Sequence, residues 1–200
     1  RKINCYWLVY IIINMYDYYI WKKFYSKEDI IKLNNICSLN KEKSFDDVEA
    51  YSNLYKTQLK NLNNVECVQW KYVKNILQKA LNEIEINNQF NYGYSIYNLN
   101  DLDTVLFNTY KENNFYDWHK DVSNNPNHDI KFTILINNSL KEYEGGDFKI
   151  FSYGGENIIK NFNEPGTLLM FKGDIPHKVF TIKKGIRNSI VFFIKGSKFI

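Results

Sequence analysis

This chain of 200 residues is short of several residue types, and each shortage closes a possibility. Its three cysteines, Cys5, Cys37 and Cys67, are odd in number and follow no metal-type spacing. That excludes a disulfide framework and a cysteine-based zinc site, and the thiols read as reduced, in a cytoplasmic compartment. Three prolines and nine glycines leave no Pro/Gly/Ser-rich linker, and no repeat is present. The apolar run from Cys5 to Ile13 is too short to span a bilayer, so no transmembrane segment is expected. No small-residue cleavage site follows it among Asn14, Met15, Tyr16 and Asp17. It is read as an N-terminal strand, with membrane association through it as the alternative. A net charge of +4 comes without a concentrated basic stripe, so nothing argues for a nucleic-acid partner. Arginine is the scarcest charged residue, with only Arg1 and Arg187 among 26 basic side chains, and histidine occurs only at 119, 128 and 177.

What is present suffices for a sizeable core: 44% hydrophobic and 17% aromatic residues. Residues 1–200 are expected to form one domain, α+β in layout. About 1–90 would be a helical support and about 91–200 a jelly-roll core. Ser26 with Asp29 gives a capping-box-like helix start, continued by Ile30, Ile31, Leu33 and Ile36. Two further helices are predicted from 3–4 spacing. One carries Val48, Tyr51, Leu54, Tyr55, Leu59 and Leu62; the other carries Val65, Val68, Tyr72, Ile76, Ala80 and Ile84. From Thr104 the period changes. Short β-rich runs at Val105–Tyr110, Ile130–Asn137, Asp147–Phe151, Gly166–Phe171, His177–Ile182 and Ser189–Lys195 alternate with Gly, Pro and Asn turns, which suggests a sandwich or jelly roll.

The rare residues then fall into order: His119-Lys-Asp121, His177, Arg187. Two imidazoles and one carboxylate are the ligand set of the 2-His-1-carboxylate facial triad of non-haem Fe(II) oxygenases. His119 and Asp121, two residues apart at a strand end, would point the same way. His177 must come from another strand to close the face. An acidic ligand inside a barrel needs a partner, and Arg187 offers a planar two-pronged donor where lysine serves elsewhere. Ser189, on the same strand face, and Tyr110, on the strand feeding the first ligand, could add hydroxyl donors. His128 lies in an Asn-rich turn and is read as a solvated loop residue. Tyr116 and Trp118 are read first as packing residues, with contact near the metal as the second reading.

The segment Phe107 to Asp121, Phe-Asn-Thr-Tyr-Lys-Glu-Asn-Asn-Phe-Tyr-Asp-Trp-His-Lys-Asp, resembles the motif that introduces the iron ligands in prolyl 4-hydroxylase-like 2-oxoglutarate/Fe(II) dioxygenases. It is most similar to their small PKHD-type bacterial and phage branch. Tyr143-Glu-Gly-Gly-Asp147-Phe resembles that branch's glycine turn, and Gly166–Phe171, His177-Lys-Val179 and Lys184–Ser189 resemble its closing block. The resemblance covers roughly 90–200. It implies a double-stranded β-helix with Fe(II) on His119, Asp121 and His177 and the 2-oxoglutarate carboxylate on Arg187. Tyr110, Ser189 and Asn137 are further cosubstrate candidates. It also implies O2 as co-reactant and ascorbate as a reductant for the iron. Asn113 stands where the motif has Gly, Lys172-Gly173 replaces Pro-Ser, and Thr181 replaces a frequent Pro. These departures bear on loop shape and substrate preference.

The implied reaction is hydroxylation of an unactivated C–H, with a prolyl or other residue of a peptide or protein as the substrate favoured by analogy. A small-molecule substrate and a non-catalytic jelly-roll binding module with a vestigial metal site are the alternatives. Asp121 argues against a halogenase, in which halide takes the carboxylate's place. Phe193, six residues past Arg187, argues against nucleic-acid demethylases, which carry a second Arg there. The loops 87–103, 122–129 and 153–164 are expected to select the substrate.

Overall fold

The computed structural model describes residues 17–43, 49–51, 58–61, 64–123, 125–152 and 154–198; the Cys5–Ile13 run lies outside them. In chain order the first half contains β1 (Tyr18–Trp21), α1 (Lys27–Asn40), β2 (Lys41–Lys43), β3 (Glu49–Tyr51), β4 (Gln58–Asn61), β5 (Asn64–Gln69) and α2 (Trp70–Asn87). The second half contains β6 (Thr104–Tyr110), β7 (Phe115–His119), β8 (His128–Asn137), β9 (Glu144–Gly145) and β10 (Phe148–Ser152). It continues with β11 (Gly155–Ile158), β12 (Leu168–Lys172), β13 (His177–Val179), β14 (Ile182–Lys184) and β15 (Arg187–Ser197). A seven-stranded sheet runs β1-β12-β8-β15-β6-β5-β2, and a six-stranded sheet runs β11-β10-β13-β7-β4-β3. β9 and β14 form a small ribbon.

The long strands are covered on both faces, which is why Phe132–Ile136 reads as an almost unbroken apolar run. Phe132, Ile134 and Ile136, with Ile190, Phe192 and Ile194, turn outward onto the helices through Leu33, Val73, Leu77 and Ile84. Leu135 and Val191 turn inward and meet Phe148, Ile150 and Val179 of the smaller sheet. Helices, large sheet and small sheet are therefore three layers, and the site lies between the two sheets.

Helix α1 starts as the sequence predicts: the Asp29 N–H donates to Ser26 Oγ and the Ser26 N–H to Asp29 Oδ2, both at 3.1 Å. The other two predicted helices need correction. Glu49–Tyr51 and Gln58–Asn61 are strands that extend the small sheet, and the rest of that segment lies outside the described residues. Val65 and Val68 belong to β5, and α2 begins only at Trp70. Its buried stripe is Val73, Leu77, Ala80, Leu81 and Ile84, while Tyr72 is 40% exposed. The error has a physical cause. A strand's valines three residues apart mimic a helical spacing, and β5 is chosen by long-range pairing with β6 rather than by local propensity. The N-terminal support is thus mixed, not helical. The predicted strand His177–Ile182 divides into β13 and β14, which pair with different partners.

Candidate metal centre

β7 and β13 lie antiparallel with His119 and His177 as cross-strand partners. Their rings come to 4.1 Å between centroids, tilted by 57°. Each imidazole is oriented by a backbone carbonyl: His119 Nδ1 lies 2.7 Å from Asp117 O and His177 Nδ1 3.0 Å from Ile175 O. A carbonyl only accepts, so Nδ1 carries the proton and Nε2 keeps its lone pair. This is the tautomer a metal needs, fixed by groups behind the ring. Tyr116 stacks flat on His119 at 3.4 Å and 8°, and Phe148 and Phe171 wall in His177.

Asp121 does not sit on the strand with His119, as the His-x-Asp spacing suggested; β7 ends at His119. It is brought in by two other contacts. Its N–H donates to Gly173 O at 2.9 Å, and Thr133 of β8 donates its hydroxyl to Asp121 Oδ2 at 2.7 Å. Gly173 is required there, because a Cβ would come within 2.6 Å of Ile130 O and 2.9 Å of Asp121 O. The resulting carboxylate lies 3.9 Å from His119 Nε2 (Oδ1) and 3.4 Å from His177 Nε2 (Oδ2). The three donor atoms all lie within 4.8 Å of one another.

Deeper in the same cavity, β15 places Arg187 opposite Tyr110 of β6. Arg187 is 1% exposed, and its Nε and Nη2 are buried without hydrogen-bond partners. Its Nη1 reaches Ser189 Oγ at 3.4 Å, and the guanidinium lies over the rings of Tyr110 and Phe162 at 5.1 and 5.4 Å. Among the described residues no carboxylate forms an ion pair with it. A buried guanidinium with open donors is costly unless an anion meets it, so the cavity is built for an anionic occupant. Burial pushes the Tyr110 hydroxyl up to about 12, with Arg187 pulling the other way, so it stays a neutral donor.

The structure thus brings His119, Asp121, His177, Arg187, Tyr110 and Ser189 around one cavity. Asn137 it uses otherwise. That side chain donates to Phe162 O at 2.8 Å and to Tyr143 Oη at 3.2 Å and accepts from the Ser139 N–H, which ties down the end of β8. His128 is the first residue of β8, half-buried and edge-on to Tyr97, not a solvated loop residue. Tyr116 lines the cavity, whereas Trp118 packs under Lys178. Asn113 stands at φ 67°, so the usual glycine is replaced by a residue that tolerates the left-handed region. Sequence reading missed Thr133, Asn108 and the role of Gly173. Thr133 and Asn108 each share strand parity with an inward residue, Leu135 and Tyr110, and that parity was the available signal.

Residues 105–195 match the family model described as the 2OG-Fe(II) oxygenase superfamily. No curated protein matches the chain by sequence. Among solved structures, a Pseudomonas putida prolyl-4-hydroxylase superposes with a TM-score of 0.65 at 14% identity, over 92% of this chain and 95% of that one. The viral collagen prolyl hydroxylase of Paramecium Bursaria Chlorella virus-1 gives 0.64 at 16%, over 92% and 99%. A prolyl hydroxylase from Trichoplax adhaerens gives 0.61 at 15%, over 90% and 84%. With three converging donors, a buried arginine beyond them and this fold, the chain resembles prolyl 4-hydroxylase-like 2OG-Fe(II) oxygenases, the superfamily whose model residues 105–195 match.

Proposed function

We propose that this chain is an Fe(II)- and 2-oxoglutarate-dependent dioxygenase that hydroxylates an unactivated C–H, with a prolyl or other residue of a peptide or protein as substrate. The observation that carries the reading is the pairing of two features in one cavity. Three converging donors stand at one end, and a buried arginine with two open donor nitrogens stands at the other. The residues fit the groups implied: two neutral imidazole nitrogens and a carboxylate suit Fe(II), and a guanidinium suits the distal carboxylate of a 2-oxo diacid. A peptide substrate is supported by the Trichoplax prolyl hydroxylase, which is itself in complex with a peptide fragment.

His119, Asp121 and His177 would hold the iron, and Arg187, with Tyr110 and Ser189, would hold the cosubstrate's far carboxylate. Bound there, iron with 2-oxoglutarate and O2 supplies the oxidising power for hydroxylation, the cosubstrate leaving as succinate and CO2. The chain's own part is placement and shielding. Asp117 O and Ile175 O fix the two imidazoles, and Thr133 fixes the carboxylate. Val65, Leu106, Leu135, Phe148 and Val191 keep water from the cavity wall. Ascorbate would act from outside as a reductant.

The test is anaerobic titration of Fe(II) and 2-oxoglutarate into the purified chain, followed by thermal unfolding. Wild type should show a weak visible absorption band that needs both additions and a raised melting temperature. His177→Ala should lose the band. Arg187→Met should melt higher than wild type without ligand, because a buried uncompensated charge is removed, by about 1–4 kcal/mol on the scale of buried-ion replacements. 2-Oxoglutarate should then no longer stabilise it. A wild type that binds neither iron nor 2-oxoglutarate would leave the binding-module reading in its place. Product analysis on a proline-rich peptide against free amino acids separates the peptide from the small-molecule substrate.

A further inference from the structure

The strand that carries His119 is not regular. β7 and β13 pair at His119–His177 and again at Tyr116–Val179, with a register shift between the two pairs. Three steps along β7 thus face two along β13, so Asp117 and Trp118 together oppose Lys178, a β-bulge with one extra residue. The bulge decides which way His119 faces. In a regular strand, residues three apart point to opposite sides of the sheet. Here Tyr116 and His119 both line the cavity, and their rings stack at 3.4 Å and 8°. Without the extra residue one of the two would turn to the outer face, and the cavity would lose a ligand or its stacking partner.

A bulge takes a backbone group out of the ladder, and that group needs another partner. The Trp118 N–H donates to Asp117 Oδ1 at 2.8 Å. Lys178 Nζ reaches the same oxygen at 3.4 Å and lies over the Trp118 ring at 5.2 Å. The Asp117 side chain is 49% exposed, so its ion pair with Lys178 adds little. What counts is the acceptor that meets the Trp118 N–H. The main-chain carbonyl of the same residue lies 2.7 Å from His119 Nδ1. We infer that Asp117 is a positioning residue for His119: its side chain holds the β7 bulge that turns His119 into the cavity and keeps the Asp117 carbonyl behind Nδ1. That His119 binds a metal rests on the oxygenase reading; how its ring is held does not.

The experiment compares the full wild-type chain with Asp117→Ala and Asp117→Asn in two measurements. Ring-nitrogen chemical shifts, read without metal at a pH where the imidazoles are neutral, give the tautomer of each of the three histidines. Competition with a chelator gives the Mn(II) affinity. In wild type His119 should carry its proton on Nδ1. Asp117→Ala should move His119 toward the Nε2-protonated form and leave His177 unchanged. It should also weaken Mn(II) about tenfold, the lower end of the range for groups that orient metal ligands. Asp117→Asn keeps an acceptor oxygen and should restore both readings. Wild-type tautomer and wild-type Mn(II) affinity in Asp117→Ala would overturn the proposal, even with a lowered melting temperature, since a merely structural role would give that alone. Equal losses in Asp117→Ala and Asp117→Asn would also overturn it, by assigning the effect to the charge. A wild type that binds no Mn(II) would overturn the oxygenase reading, while the tautomers would still decide the part played by Asp117.

Discussion

At His119 and His177 the chemistry depends on which ring nitrogen is free, and the chain decides it with two backbone carbonyls rather than with side chains. A carbonyl cannot change its protonation, so the tautomer is fixed at every pH at which the imidazoles are neutral. Asp121 is fixed differently, by the Thr133 hydroxyl on Oδ2. Thr133→Val keeps the shape of the side chain and removes that donor, leaving the carboxylate free to rotate. Metal affinity should fall about 10–100-fold, the range for outer-shell partners of ligands, with little change in melting temperature. Thr133→Ser should recover most of it. Equal metal affinity in the valine variant, measured by competition with a chelator, would show that the hydrogen bond does not orient the ligand.

The strands β8 and β15 each serve two layers. Even-numbered residues from Phe132 to Ile136 and Ile190 to Ile194 carry the helices, and the odd-numbered ones between them carry the cavity. Replacing one side chain therefore touches either stability or function but seldom both. Gly173 is an exception, because the segment after β12 must pass against both Ile130 O and Asp121 O. Gly173→Ala should push the Asp121 segment away. It should cost about 1–3 kcal/mol of stability, as overpacking does, together with measurable loss of metal binding. Unchanged denaturant midpoint and unchanged metal affinity would mean that the segment yields freely. The π-helical turn Asn88–Tyr92 at the end of α2 plays a comparable positional part, with Asn88 bonding Tyr94 O and N and so delivering Tyr92 and Tyr94 onto Phe132.

Across the whole molecule the helical layer buries groups that prefer to stay neutral. Burial pushes the Cys37 thiol from 9.0 up to about 12, and the Tyr25 hydroxyl is driven well above its ordinary range. A raised acid pKa means that the folded state keeps a proton the unfolded chain gives up. The native state therefore binds more protons between about 9 and 12, and stability falls as pH rises through that window. Urea midpoints at pH 8, 9 and 10 should decline for wild type and decline less steeply for Cys37→Ala. A flat profile in wild type would contradict it.

Much of this was legible without coordinates. Ser26 and Asp29 announced a cap, six β-rich runs announced most of the strands of the second half, and the order His119, Asp121, His177, Arg187 announced the site. These signals are local or compositional: a capping pair acts over three residues, and scarce ligand types stand out against a lysine- and asparagine-rich background. What the sequence could not express was which face of a doubly buried strand turns inward, since both faces are apolar. Nor could it show that β3, β4 and β5 would be drawn into sheets by partners far along the chain. The chain alone determined the candidate ligands, the candidate anchor and the alternation of strands and turns. Only the tertiary structure decided that Thr133 holds Asp121, that Asn137 is spent on the end of β8 and that Asn108 is left open in the cavity. Each of those outcomes depends on register between strands distant in sequence, which is set by packing the two sheets and the helices together rather than by any neighbouring residues.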